Sequence, residues 1–500
     1  MIVFGIYLLV FAFLIYYNGF FKLFIDEHLN NKTITLIFIL KALAVPCLYF
    51  LFLKLYGGIE KFDAGKFYFD AKTLNEFGRN NFPEYLKALF GLQDETPGSH
   101  FYNTIIVPTF NWENGDARDF FYNDNRVIIR LHSVLHFIAF NSYYVHALFS
   151  CFLSYIGLTY LYKTFKQFFT GKETILFIVI CFFPTLWLYT GGLLKEGVSV
   201  FILGCSLYQL KLIFEKGFNI YSALKLLPFI FISFLLKPYL ILYAIIYFTI
   251  FYTILKFYKG RYKVLGFVGA LCVVSVIVNS FVVVVKGKSL SQAAMHRQKE
   301  FADLSKGGIF LLDSVKFVRL NYDYNSLIKV PAQKNVYKIK ANVPYTYWEH
   351  SHQKDTLFCE SNTDSQTTYT LIYELPTAGS NVDVIGNTSS LAVISARSLY
   401  YTIAHPFFYN ANGVMQLFAS LENLILIVCF LTVIVMLVVK RNDGFVPFVF
   451  LFFGITLFIL IGITTPNSGA ILRYRSAAAI FVIISALYYF RNSKKSKAPF

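Results

Sequence analysis

Apolar runs of about 20 residues recur from one end of this chain to the other, separated by short basic punctuation. A helix that rises about 1.5 Å per residue needs roughly that length to cross a bilayer's hydrocarbon core. The pattern predicts eleven spans, near 2–20, 34–56, 134–162, 173–191, 197–214, 223–236, 239–256, 264–285, 414–439, 445–463 and 471–490. The pair 223–236 and 239–256 is short and interrupted by Lys237-Pro238, so it also reads as one broken helix. The expected fold class is an all-α polytopic membrane protein of about 11 transmembrane helices, with a small α/β extracytoplasmic insertion.

Two long polar stretches break the rhythm, at 57–133 and 286–412. They divide the chain into an N-terminal membrane domain (1–285), an extracytoplasmic loop (286–412) and C-terminal helices with a basic tail (413–500). The first loop opens with a helical pattern over 59–90, carried by Phe62, Phe67, Phe69, Leu74, Phe77, Phe82, Leu86 and Leu89. Such a segment is expected either to lie along the membrane surface or simply to pack. In the second loop, 290–328 reads helical and 330–395 reads as a β-unit. Its strand-like stretches are 336–341, 356–359 and 367–375, followed by turn-rich 377–381 and 385–388. About 65 residues make a small freestanding core, so this cap is expected to pack on the membrane domain. The N-terminal 17 residues lack a basic leader and a cleavage site, and are expected to be a retained span.

Composition agrees: 56% of residues are hydrophobic and only 15% charged, where a soluble chain carries about 25%. Mean hydropathy is +0.55. Disordered, collagenous, coiled-coil and disulfide-scaffold classes are excluded. The net charge of +17 raises nucleic-acid binding, but the cations cluster at the ends of apolar runs, so no nucleic-acid partner is expected. Lipid headgroups are the natural counterpart. Lys22, Lys32, Lys163, Lys166, Lys172, Lys211, Lys216, Lys225, Lys256, Lys259, Arg261, Lys263, Lys440, Arg441 and the cations of the tail from Arg491 fall on one side. The short loops opposite hold only Lys195, Lys237, Arg473 and Arg475. The basic side is the cytoplasmic one. That gives a multi-pass protein of the cytoplasmic (inner) membrane, N-terminus outside and C-terminus inside. Six of seven cysteines sit in apolar runs and Cys359 has no loop partner; neither disulfides nor a structural zinc is expected.

Candidate chemistry lies where polar residues meet the outer ends of spans. Asp63 and Asp70 are seven apart and share a helix face, the arrangement of a general base with a metal or hydroxyl ligand; the plain reading is a solvated face. Arg126 and Arg130, beside Asp124, His132 and His136, share a face suited to phosphate, or anchor headgroups. Lys195 and Glu196 form a binding pair or a local ion pair. Lys237, Arg473 and Arg475 oppose the positive-inside tendency. Converging cations would neutralise a phosphate; snorkelling to headgroups is the alternative. His405 is a structural histidine or proton carrier. Glu422, inside an apolar run, calls for a basic or hydroxyl partner. No P-loop, GxGxxG, HExxH or GxSxG occurs, so energy would come from an activated substrate or a gradient.

The Asp63–Asp70 segment resembles the acidic motif of the polytopic glycosyltransferases of the class C fold. The stretches Phe183-Pro184-Thr185-Leu186-Trp187 to Lys195-Glu196, His405-Pro406-Phe407 to Glu422-Asn423, and Thr465-Pro466-Asn467 to Arg473-Tyr474-Arg475 are similar to bacterial cell-envelope polysaccharide proteins. The resemblance implies a polyprenyl-phosphate-linked saccharide donor, a glycan or lipid acceptor and extracytoplasmic transfer. Asp63 would be the base, with Lys237, Arg473 and Arg475 on the lipid phosphate. Mg²⁺ or Mn²⁺ on Asp63 or Asp70 is an open expectation. The chain departs from the pattern in having two spans before the acidic loop and no second acid beside Asp63. An O-antigen-type polymerase relying on Arg297 or His405 is the second enzyme reading, and a transporter of lipid-linked saccharide the non-enzyme one.

Overall fold

The computed structural model describes residues 2–17, 23–96, 98–112, 124–236, 238–258, 262–286, 310–311, 316–319, 327–331, 336–340, 344–349, 357–361, 369–374, 391–411, 413–440, 443–465 and 467–491. The chain divides into two compact units. The first comprises Met1–Ser275, Leu424–Leu457 and Ser476–Phe500, and the second Val276–Asn423 and Phe458–Arg475.

Among the described residues seven helices are long and apolar enough to cross a membrane. An eighth results if Ser468–Tyr474 and Ser476–Phe490, bent by 56°, form one span. Such helices are those of a multi-pass membrane protein. Each of the eleven expected spans overlaps an apolar helix, but Ile2–Tyr16, Glu173–Phe182 and Ile220–Leu235 have fewer than 18 residues. A crossing needs about 20, so these three are short for it.

In the first unit α1 (Ile2–Tyr16), α2 (Asn31–Ala42) and α3 (Ala44–Tyr56) lead to α4 (Asp63–Asn80) and α5 (Phe82–Phe90). The break between α2 and α3 follows from Pro46, which lacks an N–H and crowds the carbonyl four residues back. Then come α6 (Asp124–Leu135), α7 (Tyr143–Phe165), α8 (Glu173–Phe182), α9 (Pro184–Tyr189) and α10 (Lys195–Lys216). Phe183 is extended because it precedes Pro184, and this separates α8 from α9. The expected span at 134–162 is corrected: α6 stops at Leu135, and α7 restarts at Tyr143 after Phe140 and Asn141 turn left-handed at φ 50° and 51°. The doubtful pair is two helices, α11 (Ile220–Leu235) and α12 (Pro238–Phe257), followed by α13 (Lys263–Lys286).

Glycines set the closest helix approach. A Cβ on Gly204 of α10 would lie 1.9 Å from the Gly157 carbonyl oxygen of α7, and one on Gly157 2.4 Å from Phe201 Cα. Small residues at a crossing let backbones touch where no hydrophobic drive acts between helices. The phenylalanine excess fills the interior: Phe165, Phe248, Phe450, Phe453 and Phe481 form one ring cluster, with Phe453 and Phe481 centroids 4.6 Å apart.

Among the described residues the second unit carries a seven-stranded sheet: β1 (Phe310–Leu311), β2 (Lys316–Arg319), β3 (Leu327–Lys329), β4 (Val336–Lys340), β5 (Pro344–Glu349), β6 (Leu357–Ser361) and β7 (Tyr369–Glu374). Their order is β3-β4-β7-β1-β2-β5-β6, every pairing antiparallel. The three strand-like stretches reappear as β4, β6 and β7. The helical expectation for 290–328 is corrected over its described part, where β1, β2 and β3 lie; Phe317-Val318 and Leu327-Ile328 suit a pleated surface. The turn-rich stretches lie outside the described residues. Helices Leu391–Ile403, Val414–Val439, Phe445–Thr464 and Ser468–Tyr474 carry the rest of the chain up to the final helix Ser476–Leu487.

Candidate functional site

The first-unit cluster is built on α4. Asp63 in its first turn suits the positive helix end and Arg79 in its last turn the negative one. Asn81 then stops α4, and its side chain caps α5 at the Glu84 amide. Phe62, Phe67, Leu74 and Phe77 are buried, so α4 packs this face into the protein interior. Gly65 and Gly78 permit this: a Cβ on Gly65 would sit 1.6 Å from the Ile59 carbonyl oxygen, and one on Gly78 2.7 Å from the Tyr85 ring. Asn75 Nδ2 donates to the Ser133 carbonyl at 2.9 Å, and Tyr85 and Ser133 hydroxyls meet at 3.1 Å, fixing α4 and α5 to the end of α6.

The two acids part company. Asp63 is exposed. Asp70 is buried, and its carboxylate accepts the backbone N–H of Phe110 at 2.8 Å and of Asn111 at 2.7 Å. Seven residues of helix separate them by about 10 Å along the axis, whereas Mg²⁺–oxygen bonds are about 2.1 Å. One ion bound by both carboxylates therefore does not fit. Among the described residues no three His, Cys, Asp or Glu side chains are grouped to hold a metal.

The expected phosphate cations are brought together, but with acidic partners. Arg126 is buried and donates from both terminal nitrogens to Glu95, at 2.7 and 2.9 Å. Trp112, fully buried, has the Arg126 and Arg130 guanidinium carbons each 5.1 Å from its ring centre. Arg130 donates from Nε to the Ala88 carbonyl at 2.7 Å. Burial, reinforced by neighbouring Arg126 and opposed by Glu95, pulls Arg130 down to about 10. Lys195, opening α10, reaches Asp124 at 2.6 Å and lies 5.7 Å from the Phe67 ring centre. The expected local Lys195–Glu196 pair is thus replaced by a pair between α10 and α6, since successive helical residues do not face each other. Glu196 is buried. Phe67 lies one turn beyond Asp63 on α4.

A histidine cluster lies deeper. His132 Nδ1 is 3.1 Å from His146 Nδ1, Ser150 Oγ is 3.3 Å from His132 Nε2, and the His136 and His146 rings are 4.1 Å apart. Burial, then the neighbouring His136, pushes His132 down to about 3. His146 escaped the sequence reading because it sits within an apolar run. Its only signal was polarity at a buried face, 14 residues after His132.

The second unit holds the remaining candidates. Arg475 is 0% exposed; it donates to Glu422 at 3.1 Å and to the Thr402 carbonyl. The basic partner expected for Glu422 is present. Arg473 lies 5.8 Å from the neighbouring Tyr474 ring centre. His405 is half-buried, and burial lowers its pKa. The next carbonyl, that of Pro406, accepts from Ser420 at 3.0 Å and Asn423 at 2.9 Å. Arg475 therefore spends two of its nitrogens on protein acceptors. Lys237 and Arg297 lie outside the described residues.

The chain matches no family model, no curated protein and no solved structure.

Proposed function

We propose that this chain is a membrane glycosyltransferase that moves sugar from a polyprenyl-phosphate-linked donor to a glycan or lipid acceptor at the extracytoplasmic face. One observation carries the reading. Lys195, at the start of α10, pairs with Asp124 of α6 and lies 5.7 Å from the ring centre of Phe67, one helical turn after exposed Asp63 on α4. Exposed Asp63 takes the proton of the acceptor hydroxyl as that oxygen bonds to the sugar's anomeric carbon. The bond from that carbon to the donor's phosphate oxygen breaks, and its electron pair leaves on the phosphate. Lys195 and Arg130 meet the charge that develops there. Asp70 is a positioning residue, holding the backbone at 110–111 beside Trp112. A Mg²⁺ or Mn²⁺ ion held by Asp63 would supply charge neutralisation at the donor phosphate.

A cavity of about 400 Å³ lies at the C-terminal end of α4, about 20 Å along the helix from Asp63, where it would hold a distal segment of an extended glycan acceptor. Asn81, Glu84, Lys87, Asp94, Ser99 and His100 line it together with Phe77 and Phe101, a polar and aromatic mixture suited to sugar hydroxyls. The test is transfer of radiolabelled sugar from a polyprenyl-phosphate-linked donor in membranes containing the protein. Asp63→Asn is expected to slow transfer by about 10²-fold or more, the range of a lost general base. Transfer at the parent rate would overturn the assignment.

A second reading, a polymerase that joins lipid-linked repeat units, draws on His405 beside the Glu422–Arg475 pair. It predicts that His405→Ala, and not Asp63→Asn, abolishes chain growth.

A further inference from the structure

The layer of the first unit built on α4 and α5 has an exposed apolar face. α5 buries Tyr85 and Ala88 but turns Phe82, Leu86 and Phe90 outward at i, i+4 and i+8, one stripe along the helix. Phe90 is 76% exposed, and Leu92 just beyond the helix 73%. A second element continues this surface. In the 137–140 turn Phe137, Ile138 and Phe140 are all exposed, and Tyr85 of α5 lies 6.0 Å from Phe137, ring centre to ring centre.

Phe140 adopts φ +50°, a left-handed conformation that asparagine tolerates and phenylalanine rarely adopts. Strain of this kind persists only where the surroundings impose it, and here it holds an aromatic ring 76% exposed. In water such a patch would be a liability.

The surface is continuous with the exposed apolar face of α1. Tyr7 of α1 donates its hydroxyl to the Ile138 carbonyl at 2.6 Å, tying the turn to a helix whose Ile2, Ile6 and Leu9 also point outward. α4 begins seven residues after α3, the end of the candidate span Asn31–Tyr56, so the layer stands at the membrane edge. Lys87 and Arg79 supply cations at the same level, Arg79 lying 5.7 Å from the Phe137 ring centre.

We propose that the outer face of α5 and the 137–140 turn together form a foot embedded in the interfacial lipid of the bilayer, which fixes the height of the layer carrying Asp63. The occupant is phospholipid, not a second protein. The proposal stands independently of the transferase reading.

Photocrosslinking tests it in native membranes. Benzoylphenylalanine is placed singly at Phe90, at Phe140 and, as a control, at Glu76 on exposed α4 surface. After irradiation the intact protein is weighed by mass spectrometry. Phospholipid-mass adducts at Phe90 and Phe140, and none at Glu76, are expected. Absence of lipid adducts at Phe90, or crosslinks there to another protein or a second copy, would overturn the proposal. Phe90 lies in an unstrained helix, so its result decides the matter even if the Phe140 variant folds poorly.

Discussion

At the scale of single residues, this protein repeatedly neutralises charge that its membrane setting makes expensive. Asp26 shows the effect outside the spans. Burial alone would raise its pKa, but hydrogen bonds from Lys166 at 2.7 Å, the His28 amide and Tyr162 outweigh that and leave it lowered. A carboxylate with a depressed folded-state pKa stabilises the fold above its unfolded value, near 3.8, and loses that contribution as pH falls through the lower folded value. Thermal melts in detergent should therefore show acid destabilisation below about pH 4 that is smaller in Asp26→Asn. The variant itself should cost about 2 kcal/mol at neutral pH. Glu422 and Arg475 make a stronger case, because both are buried. Glu422→Gln strands a buried guanidinium and should cost about 3–5 kcal/mol, whereas Glu422→Gln with Arg475→Met should recover much of it. Equal melting temperatures for the single and double variants would contradict this account of the pair.

At the scale of elements, much of the helical layout was legible, since apolar runs of span length are a direct consequence of bilayer thickness. A basic partner for Glu422 was legible too, because a carboxylate inside an apolar run must be paired. Other features were not. The run through 134–162 hides a turn at Phe140-Asn141, because phenylalanine gives no turn signal. The strands at 310–329 hid in a stretch with helical apolar spacing. The partners Glu95–Arg126 and Asp124–Lys195 are 31 and 71 residues apart, and no periodicity encodes such pairings. The α7–α10 crossing is a further consequence of sequence visible only in three dimensions. Gly204→Val places a side chain against the Gly157 backbone, which has no flexible atom to yield. We expect loss of folded protein, measured as monodisperse yield after detergent extraction, while Gly269→Val, whose Cβ meets nothing within 4 Å, is expected to be neutral. Equal yields from the two variants would refute the close crossing.

At the scale of the whole molecule, a set of apolar helices supports a polar layer that draws in three distant parts of the chain. Orientation by the positive-inside tendency would put that layer outside. The most direct measurement is complementation by Asp63→Asn in a strain lacking this protein, with protein level checked by blot. The account predicts loss of the surface glycan and accumulation of the lipid-linked donor at a normal protein level. Full surface glycan with an unchanged donor pool would contradict it.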